Sequence, residues 1–394
     1  MELRNRLESI FGKNIVTGEC SLDELPPVPI VAPLDIEQAS EIVKFAASEK
    51  MSLIPSGNGS GLHIGNPPRR LDLIVSTMRL NRSVLHEAAD LVATVDAGVP
   101  FLELQKALAQ NRQWLPVDPP RPSSTTVGAV VATAFSGALK YSRGGVRNYL
   151  IGLKVVQPDG KLTKFGGKVV KNVAGYDLMK LYTGSFGTLG LIVELSFKLH
   201  PLPQSDVTLA IVCRNVTELL QTLSPLPLAA IAVLSPQLSA QLGISTSEYS
   251  IAVRLLGTEN STKQLRLRLL QTLSQASCQE YPELWQKLEE FHCSSTNCLL
   301  ASSPSSKIPL LLELCKNWPV ECRVGSSQRI YPDPLDLEMI SELRKHFPVM
   351  VERADPSLKR NLDSRGLTSD QITLMAAIKK TLDPDDIFSP GRMF

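Results

Sequence analysis

The chain has seven cysteines, at 20, 213, 278, 293, 298, 315 and 322, but no CxxC pair. That spacing offers neither a disulfide framework nor the pattern of a zinc or iron-sulfur site, so no metal is expected. Cys293 and Cys298, the one close pair worth naming, read as free thiols packing as small hydrophobes. No stretch approaches the ~20 consecutive apolar residues of a membrane-spanning helix. The opening MELRNRLESIFGKN is broken by acidic residues and has no apolar h-region, which excludes a secretory leader and makes a cytoplasmic location the expectation. An excess of charge of one sign is missing too. With 41 basic against 39 acidic residues, the net +2 implies no strongly cationic face and excludes nucleic acid as the main partner. Internal repeats and low-complexity tracts are also absent.

What remains is a globular chain of 394 residues with 43% hydrophobic residues. At roughly 100 to 200 residues per domain it divides into two or three. Residues 35–50, DIEQASEIVKFAASEK, open with Asp35 as N-cap and Gln38 three positions on, and carry one apolar stripe at helical spacing. The helix runs into a short apolar strand, MSLIP, which ends in SGNGSGLHIGNPP at 56–68. Leu71–Ser76 reads as another apolar run, and Pro100 stands as the first residue of the helix PFLELQKALAQN. LIGLKVVQPDGKLTKF reads as a hairpin turning at Pro158, Asp159 and Gly160.

After about Ser205 the glycine clusters stop. Thr208–Cys213, Ile231–Leu234 and Ser250–Leu256 are the expected strands. Lys263–Gln275, Pro309–Asn317, Leu335–His346 and Ser369–Thr381 are the expected helices, the last behind a Thr368–Gln371 capping box. The reading is an α+β protein with a domain over 1–204, rejoined by 383–394, and an α+β second domain over 205–382.

The loop SGNGSG carries the chemistry. Gly57, Gly59 and Gly61 permit positive φ and remove Cβ atoms, so successive backbone N–H groups can converge on an anion such as a pyrophosphate. A P-loop would need GxxxxGK, and no lysine stands here. A Rossmann turn would need its third glycine one residue later and a helix following, whereas Pro67 and Pro68 lead to a strand. A surface Gly/Ser connector stays open for this loop taken alone. Two further segments argue for a long ligand crossing several loops: DPPRPSSTTVGAVVATAFSG at 118–137, rich in hydroxyls and small residues, and TGSFGTLGLIV at 183–193.

The order PSGNGSGLH, VDPP with STTVGAVVATAFSG, KYSRGGVRNYLIGLKVV, then GGKVVKNVAGYDLMKLYTGSFGTLG, closed by IFSPGRM, resembles the p-cresol methylhydroxylase and vanillyl-alcohol oxidase type of flavoprotein. More narrowly it is similar to the FAD-binding subunits of glycolate oxidase, also called glycolate dehydrogenase. The resemblance is strong over 30–204 and 383–394 and weak between them. It implies a two-lobed FAD-binding domain plus an α+β substrate or cap domain. It also implies that Pro55, Ser56, Gly57, Asn58, Gly59, Ser60 and Gly61 wrap the FAD pyrophosphate. Asp118, Thr125, Gly128, Ser136 and Gly137 would run beside the isoalloxazine and ribityl chain, and Gly187, Gly190 and Val193 would approach the adenine.

Relatives with covalent flavin carry a histidine where this chain has Ser60, so the FAD is expected to be non-covalent. His63 lies nearby but off that position. The catalytic subunits usually read GSEGTLG, whereas Phe186 stands here for the acid, and their HxGD motif is not found. Oxidising a 2-hydroxy acid needs a base and a cation for the carboxylate. No base is identifiable. His200, His292 and His346 stand alone, and Arg353 and Arg392 are candidate carboxylate clamps for which a salt bridge is the other reading. The resemblance therefore implies a flavoprotein component of a glycolate-oxidising complex, with a second flavin subunit and an iron-sulfur subunit as partners and membrane association only through them. The alternatives are a self-sufficient FAD-dependent 2-hydroxy-acid (glycolate or D-lactate) dehydrogenase, or a non-catalytic assembly subunit with a vestigial flavin site.

Overall fold

A computed structural model describes residues 2–167, 177–244, 247–273 and 277–393. Residues 168–176, inside the most specific run of the family resemblance, lie outside the described residues, as do positions 274 and 275 of one expected helix. The chain forms two compact units: Met1–Phe135 with Gly145–Pro201 and Lys359–Phe394, and Ser136–Gly144 with Leu202–Leu358.

Among the described residues the first unit holds two larger sheets and a two-stranded pair, Gln113–Trp114 with His200–Pro201. Strands β1 (Val16–Cys20), β2 (Val28–Val31), β3 (Leu53–Ser56) and β4 (Leu73–Ser76) are ordered β1-β2-β4-β3, with β3 and β4 parallel and in register Ser56 to Ser76. Helix α1 (Glu2–Phe11) precedes them, and α2 (Ile36–Ser48) supplies the crossover. Its apolar stripe Ala39, Ile42, Val43 and Ala46 is fully buried against Leu53, Leu73 and Val75, and Asp35 accepts from the Gln38 amide at 2.7 Å as the capping signature requires. The second sheet is antiparallel: β5 (Val84–Glu87), β6 (Val92–Asp96), β7 (Leu150–Val156), β8 (Leu162–Gly166) and β9 (Leu191–Lys198), ordered β5-β6-β9-β7-β8. The expected hairpin is β7 and β8, with Gly160 at φ +76 in its turn. Helices α3 (Phe101–Ala109) and α4 (Val127–Thr133) pack on this sheet through Phe101, Leu104, Leu108, Val127, Val130 and Val131. Pro100 is the N-cap of α3 rather than its first residue, a one-residue difference in where the helix begins.

Helix Ser369–Leu382 belongs to the first unit, and its Thr368–Gln371 capping box forms at 3.0 and 3.4 Å. Beyond it the chain runs beside β3. Leu53 N donates to Ile387 O and Ser389 N to Leu53 O, each at 2.8 Å.

The second unit is one eight-stranded sheet with helices. Its strands are β10 (Ser205–Cys213), β11 (Ala230–Leu234), β12 (Tyr249–Gly257), β13 (Ser277–Glu280), β14 (Cys298–Ser302), β15 (Val320–Arg323), β16 (Ser327–Ile330) and β17 (Val349–Arg353). Their order is β13-β10-β12-β11-β15-β16-β14-β17. The unit's principal helices are α5 (Glu259–Thr272), α6 (Leu284–Ser294) and α7 (Leu337–His346). Strands β15 and β16 carry charge inward. Arg323 donates to Glu321 at 2.5 Å and to Glu289 at 2.8 Å, and Arg329 to Glu289 at 3.0 Å, all three strand residues being buried. Buried charges are tolerable only when paired in this way. Among the described residues no helix is long and apolar enough to cross a membrane.

Candidate functional site

The site begins where β3 ends. Ser56 O accepts from Thr77 N at 2.8 Å and Gly57 O from Ser76 Oγ at 3.0 Å, so the parallel pair of strands fixes the root of the glycine loop. A Cβ on Gly57 would stand 2.2 Å from Oγ1 of Thr126, the residue whose hydroxyl caps α4 by accepting from Ala129 N. The loop is thereby pressed onto the start of that helix. Of the three alternating glycines only Gly59 takes left-handed backbone, at φ +77, while a Cβ on Gly61 would make ordinary contact with Ile64 at 3.6 Å. The expectation that all three supply positive φ is corrected: one does, and Gly57 is required instead for close approach.

The later turns of the loop close on themselves, Leu62 N donating to Gly59 O and Ile64 N to Gly61 O at 3.1 Å each. From Gly57 to Gly61 no backbone N–H donates to an acceptor among the described residues. Five successive amides left without an internal acceptor, on a loop held open by its flanks, form a concave donor set suited to an anion of several oxygens.

Two other segments wall the cleft. Residues 184–187 are tied to the end of α4, with Gly184 N donating to Val131 O at 3.0 Å and Phe186 N to Ala132 O at 2.8 Å. Gly187 packs against Pro55, where a Cβ would come within 3.1 Å of the ring, and its carbonyl accepts from Ser389 Oγ at 3.1 Å. The resulting cleft encloses about 850 Å³ including its open mouth. Pro55, Ser56, Gly57, Asn58, Gly59, Ser60 and Gly61 all line it, as do Gly128, Gly187 and Gly190.

The other expected residues stand elsewhere. Val193 is fully buried in β9 with its carbonyl accepting from Ala97 N, because alternation along the strand turns it away from the cleft while Ile192 faces it. Thr125 is buried and pairs through its backbone with Phe101 and Arg121. Asp118 is half-buried and outside the lining. Ser136 and Gly137 belong to the second unit, where Ser136 O accepts from Ser326.

Charged residues brace the loop, Arg392 being one of those that line the cleft. Arg121, at φ +52, donates to Ser60 O at 2.5 Å and to His63 Nε2 at 3.2 Å. Arg392 is buried, donating to Asp23 at 2.8 Å, to Asn66 O at 2.9 Å, and to Leu62 O and Ile64 O. Burial pulls its guanidinium below the ordinary value, with Asp23 opposing. Lys359 donates to Asp23 and to His63 O, and burial lowers it likewise. Arg392 thus spends its donors on the segment that follows the glycine loop. Arg353, in the second unit, donates to the carbonyls of His292, Cys293 and Ser295 at the end of α6. His200 meets Tyr149 edge to face, His346 is exposed, and His292 is buried.

Sequence reasoning missed Arg121, Arg365 and Lys379. Arg365 lies 4.1 Å over the Phe186 ring, which lines the cleft from left-handed backbone at φ +53, and burial brings its guanidinium down to about 10 against Asp363. Lys379 donates to Thr188 O at 2.9 Å, Phe388 O at 2.7 Å and Asp383. None of the three has a local sequence signal, since each is defined by carbonyls or a ring distant in the chain.

The FAD binding domain family matches residues 27–166. Glycolate oxidase subunit GlcE of Escherichia coli (strain K12) is 32% identical over 370 residues, covering 90% of this chain and 96% of that protein. Glycolate oxidase subunit GlcD of Bacillus subtilis (strain 168) is 32% identical over 205 residues, covering 52% of this chain and 44% of that protein, so the chain spans less than half the length of GlcD. Among solved structures, substrate-bound p-cresol methylhydroxylase aligns at a TM-score of 0.70 with 16% identity, over 92% of this chain and 88% of that one. Unpaired amides on a glycine loop and small residues on the facing walls of the cleft fit FAD. The chain belongs to the family of FAD-dependent oxidoreductases that includes the glycolate oxidase subunit GlcE, built on the p-cresol methylhydroxylase type of fold.

Proposed function

We propose that this chain is the FAD-binding component of a complex that oxidises a small 2-hydroxy acid of the glycolate class, with a second flavin subunit and an iron-sulfur subunit receiving the electrons. The observation that carries the reading is the match to GlcE along 96% of that protein's length, a protein named as a glycolate oxidase subunit. The free amides of the Gly57–Gly61 turn support placing the pyrophosphate there, with no side chain at Ser60 suited to a covalent flavin bond.

When bound, FAD supplies the two-electron acceptor. The chain's own residues then have the tasks of holding and screening it. Gly57 to Gly61 would hold the diphosphate by hydrogen bonds from their N–H groups. Gly128, Gly187 and Gly190 keep the walls close by presenting no side chain, and Phe186 with Arg365 closes one wall against water. Arg121, Lys359 and Arg392 hold the loop in shape through Ser60 O, His63 O, Leu62 O and Ile64 O. In this reading Arg392 serves the cofactor loop, and the base that takes the substrate proton is supplied by a partner chain.

The experiment is an anaerobic titration of the purified full chain with glycolate and with D-lactate, alone and co-purified with its partners. Flavin that is bound but bleaches only in the presence of partners is the expected result. Bleaching by the chain alone would replace this reading with a self-sufficient dehydrogenase, and a chain that takes up no FAD would replace it with an assembly subunit.

A further inference from the structure

In the second unit, three side chains from three separate elements meet in the interior. His292 stands in the last turn of α6, Cys298 opens β14, and Glu352 is the penultimate residue of β17. Their exposures are 0%, 0% and 1%. His292 Nε2 lies 3.1 Å from Glu352 Oε1, Cys298 Sγ lies 3.5 Å from Glu352 Oε2, and one ligand-type atom from each falls within 4.8 Å of the others. We propose that His292, Cys298 and Glu352 bind a divalent ion of the zinc class, with a water completing a four-coordinate shell.

The donor types fit that ion. Imidazole nitrogen, thiolate sulfur and carboxylate oxygen are the three ligand classes zinc takes, and at bond lengths of about 2.0 to 2.3 Å tetrahedral ligands stand about 3.3 to 3.7 Å apart. The two separations to Glu352, 3.1 and 3.5 Å, need shifts of only a few tenths of an ångström, and His292 and Cys298, within 4.8 Å of each other, need to close by at most about 1.5 Å.

The backbone is arranged to bring the three together. Strands β14 and β17 pair Cys298 with Arg353 and Leu299 with Val351, so a bulge leaves Glu352 without a ladder partner and turns its carboxylate toward Cys298. Arg353, the next residue, donates to the carbonyls of His292, Cys293 and Ser295, fixing the helix end that carries the imidazole. This is the place the structure finds for an arginine that the sequence singled out.

Charge points the same way. The neighbouring cations Arg323 and Arg329 are matched by Glu289 and Glu321. Glu352 adds a further carboxylate, itself buried, to this interior cluster. A dication with Glu352 and the Cys298 thiolate sums to zero. On binding, the Cys298 sulfur exchanges its proton for a bond to the metal and the proton leaves to solvent, with no change of oxidation state. The ring of Tyr331 packs 6.1 Å from that of His292, and its buried hydroxyl has no hydrogen-bond partner among the described residues, which a metal-bound water would supply.

The test uses the full chain, purified without chelator, with zinc measured by elemental analysis and cobalt(II) introduced by exchange. The expected result is one zinc per chain and, in the cobalt form, a thiolate-to-cobalt charge-transfer band. That band is lost and metal content falls at least tenfold in Cys298→Ser, while Cys322→Ser, a buried thiol outside the trio, retains both. Stoichiometric metal unchanged in Cys298→Ser would overturn the assignment. So would a wild-type chain that takes up neither ion and melts at the same temperature with and without chelator, leaving only a hydrogen-bonded His–Glu–Cys cluster. Should Cys298→Ser fail to fold, the wild-type metal content, cobalt spectrum and chelator shift still decide, with Glu352→Gln as the second variant.

Discussion

Gly57 and Gly61 look alike in the sequence and differ in what surrounds them. A Cβ at Gly57 meets Thr126 Oγ1 at 2.2 Å, and one at Gly61 meets a methyl at 3.6 Å. Gly57→Val should therefore drive the loop off the start of α4 and abolish FAD binding in a protein of native far-UV circular dichroism, whereas Gly61→Ala should bind FAD within about threefold of wild type, since surface changes free of clashes fall within about 0.5 kcal/mol. Flavin-to-protein ratios from absorbance check both, and a yellow Gly57→Val at full stoichiometry would count against the placement of the pyrophosphate. At Ser60 the absence of a histidine predicts a flavin released by trichloroacetic acid. Fluorescence that stayed with the precipitated polypeptide would contradict it.

At the scale of elements, what local signals can encode was legible. Asp35 with Gln38 and Thr368 with Gln371 announced two helix starts, and Pro158–Gly160 announced a hairpin, because caps and turns are satisfied within a few residues. Strands β15 and β16 were not announced, because Glu321, Arg323 and Arg329 break the apolar pattern and become tolerable only beside Glu289 of α6. That network sets a pH dependence. Burial alone would raise the Glu289 carboxyl, but Arg329 and Arg323 outweigh it and hold it well below the usual range. The folded value lies under the unfolded one of about 4.3, so the stabilisation is complete above that pH and drains away as pH falls below it. Urea unfolding across pH 3 to 7 should show this loss, and Glu289→Gln, less stable at pH 7, should show a flatter acid limb. Lys379 is the corresponding fastener of the first unit. Removing it leaves Asp383 and two carbonyls buried without their donor, so Lys379→Ala should cost about 3 to 5 kcal/mol in urea unfolding. A loss under 1 kcal/mol would show that the helix end is held by other contacts.

For the molecule as a whole, the α+β fold, the FAD and the family were all legible before the structure, because a loop that grips a diphosphate with backbone amides must spend glycines in a recognisable order. The reach of the first unit was less so. Lys359 to Leu382 clusters with that unit through Lys359, Arg365 and Lys379, whose partners include Asp23, 336 residues from Lys359, and Thr188, 191 residues from Lys379. The second unit's trio was invisible for the same reason. His292 and Cys298 have no ligand spacing, and Glu352 follows Cys298 by 54 residues. By itself the sequence determined the cofactor and singled out the glycine turn that lines the cleft, since glycine placement is a local demand of the backbone. Only the tertiary structure decided which arginines brace that turn, which expected residues face away from the cleft and where buried charges find partners, because a side-chain contact is set by packing among distant segments.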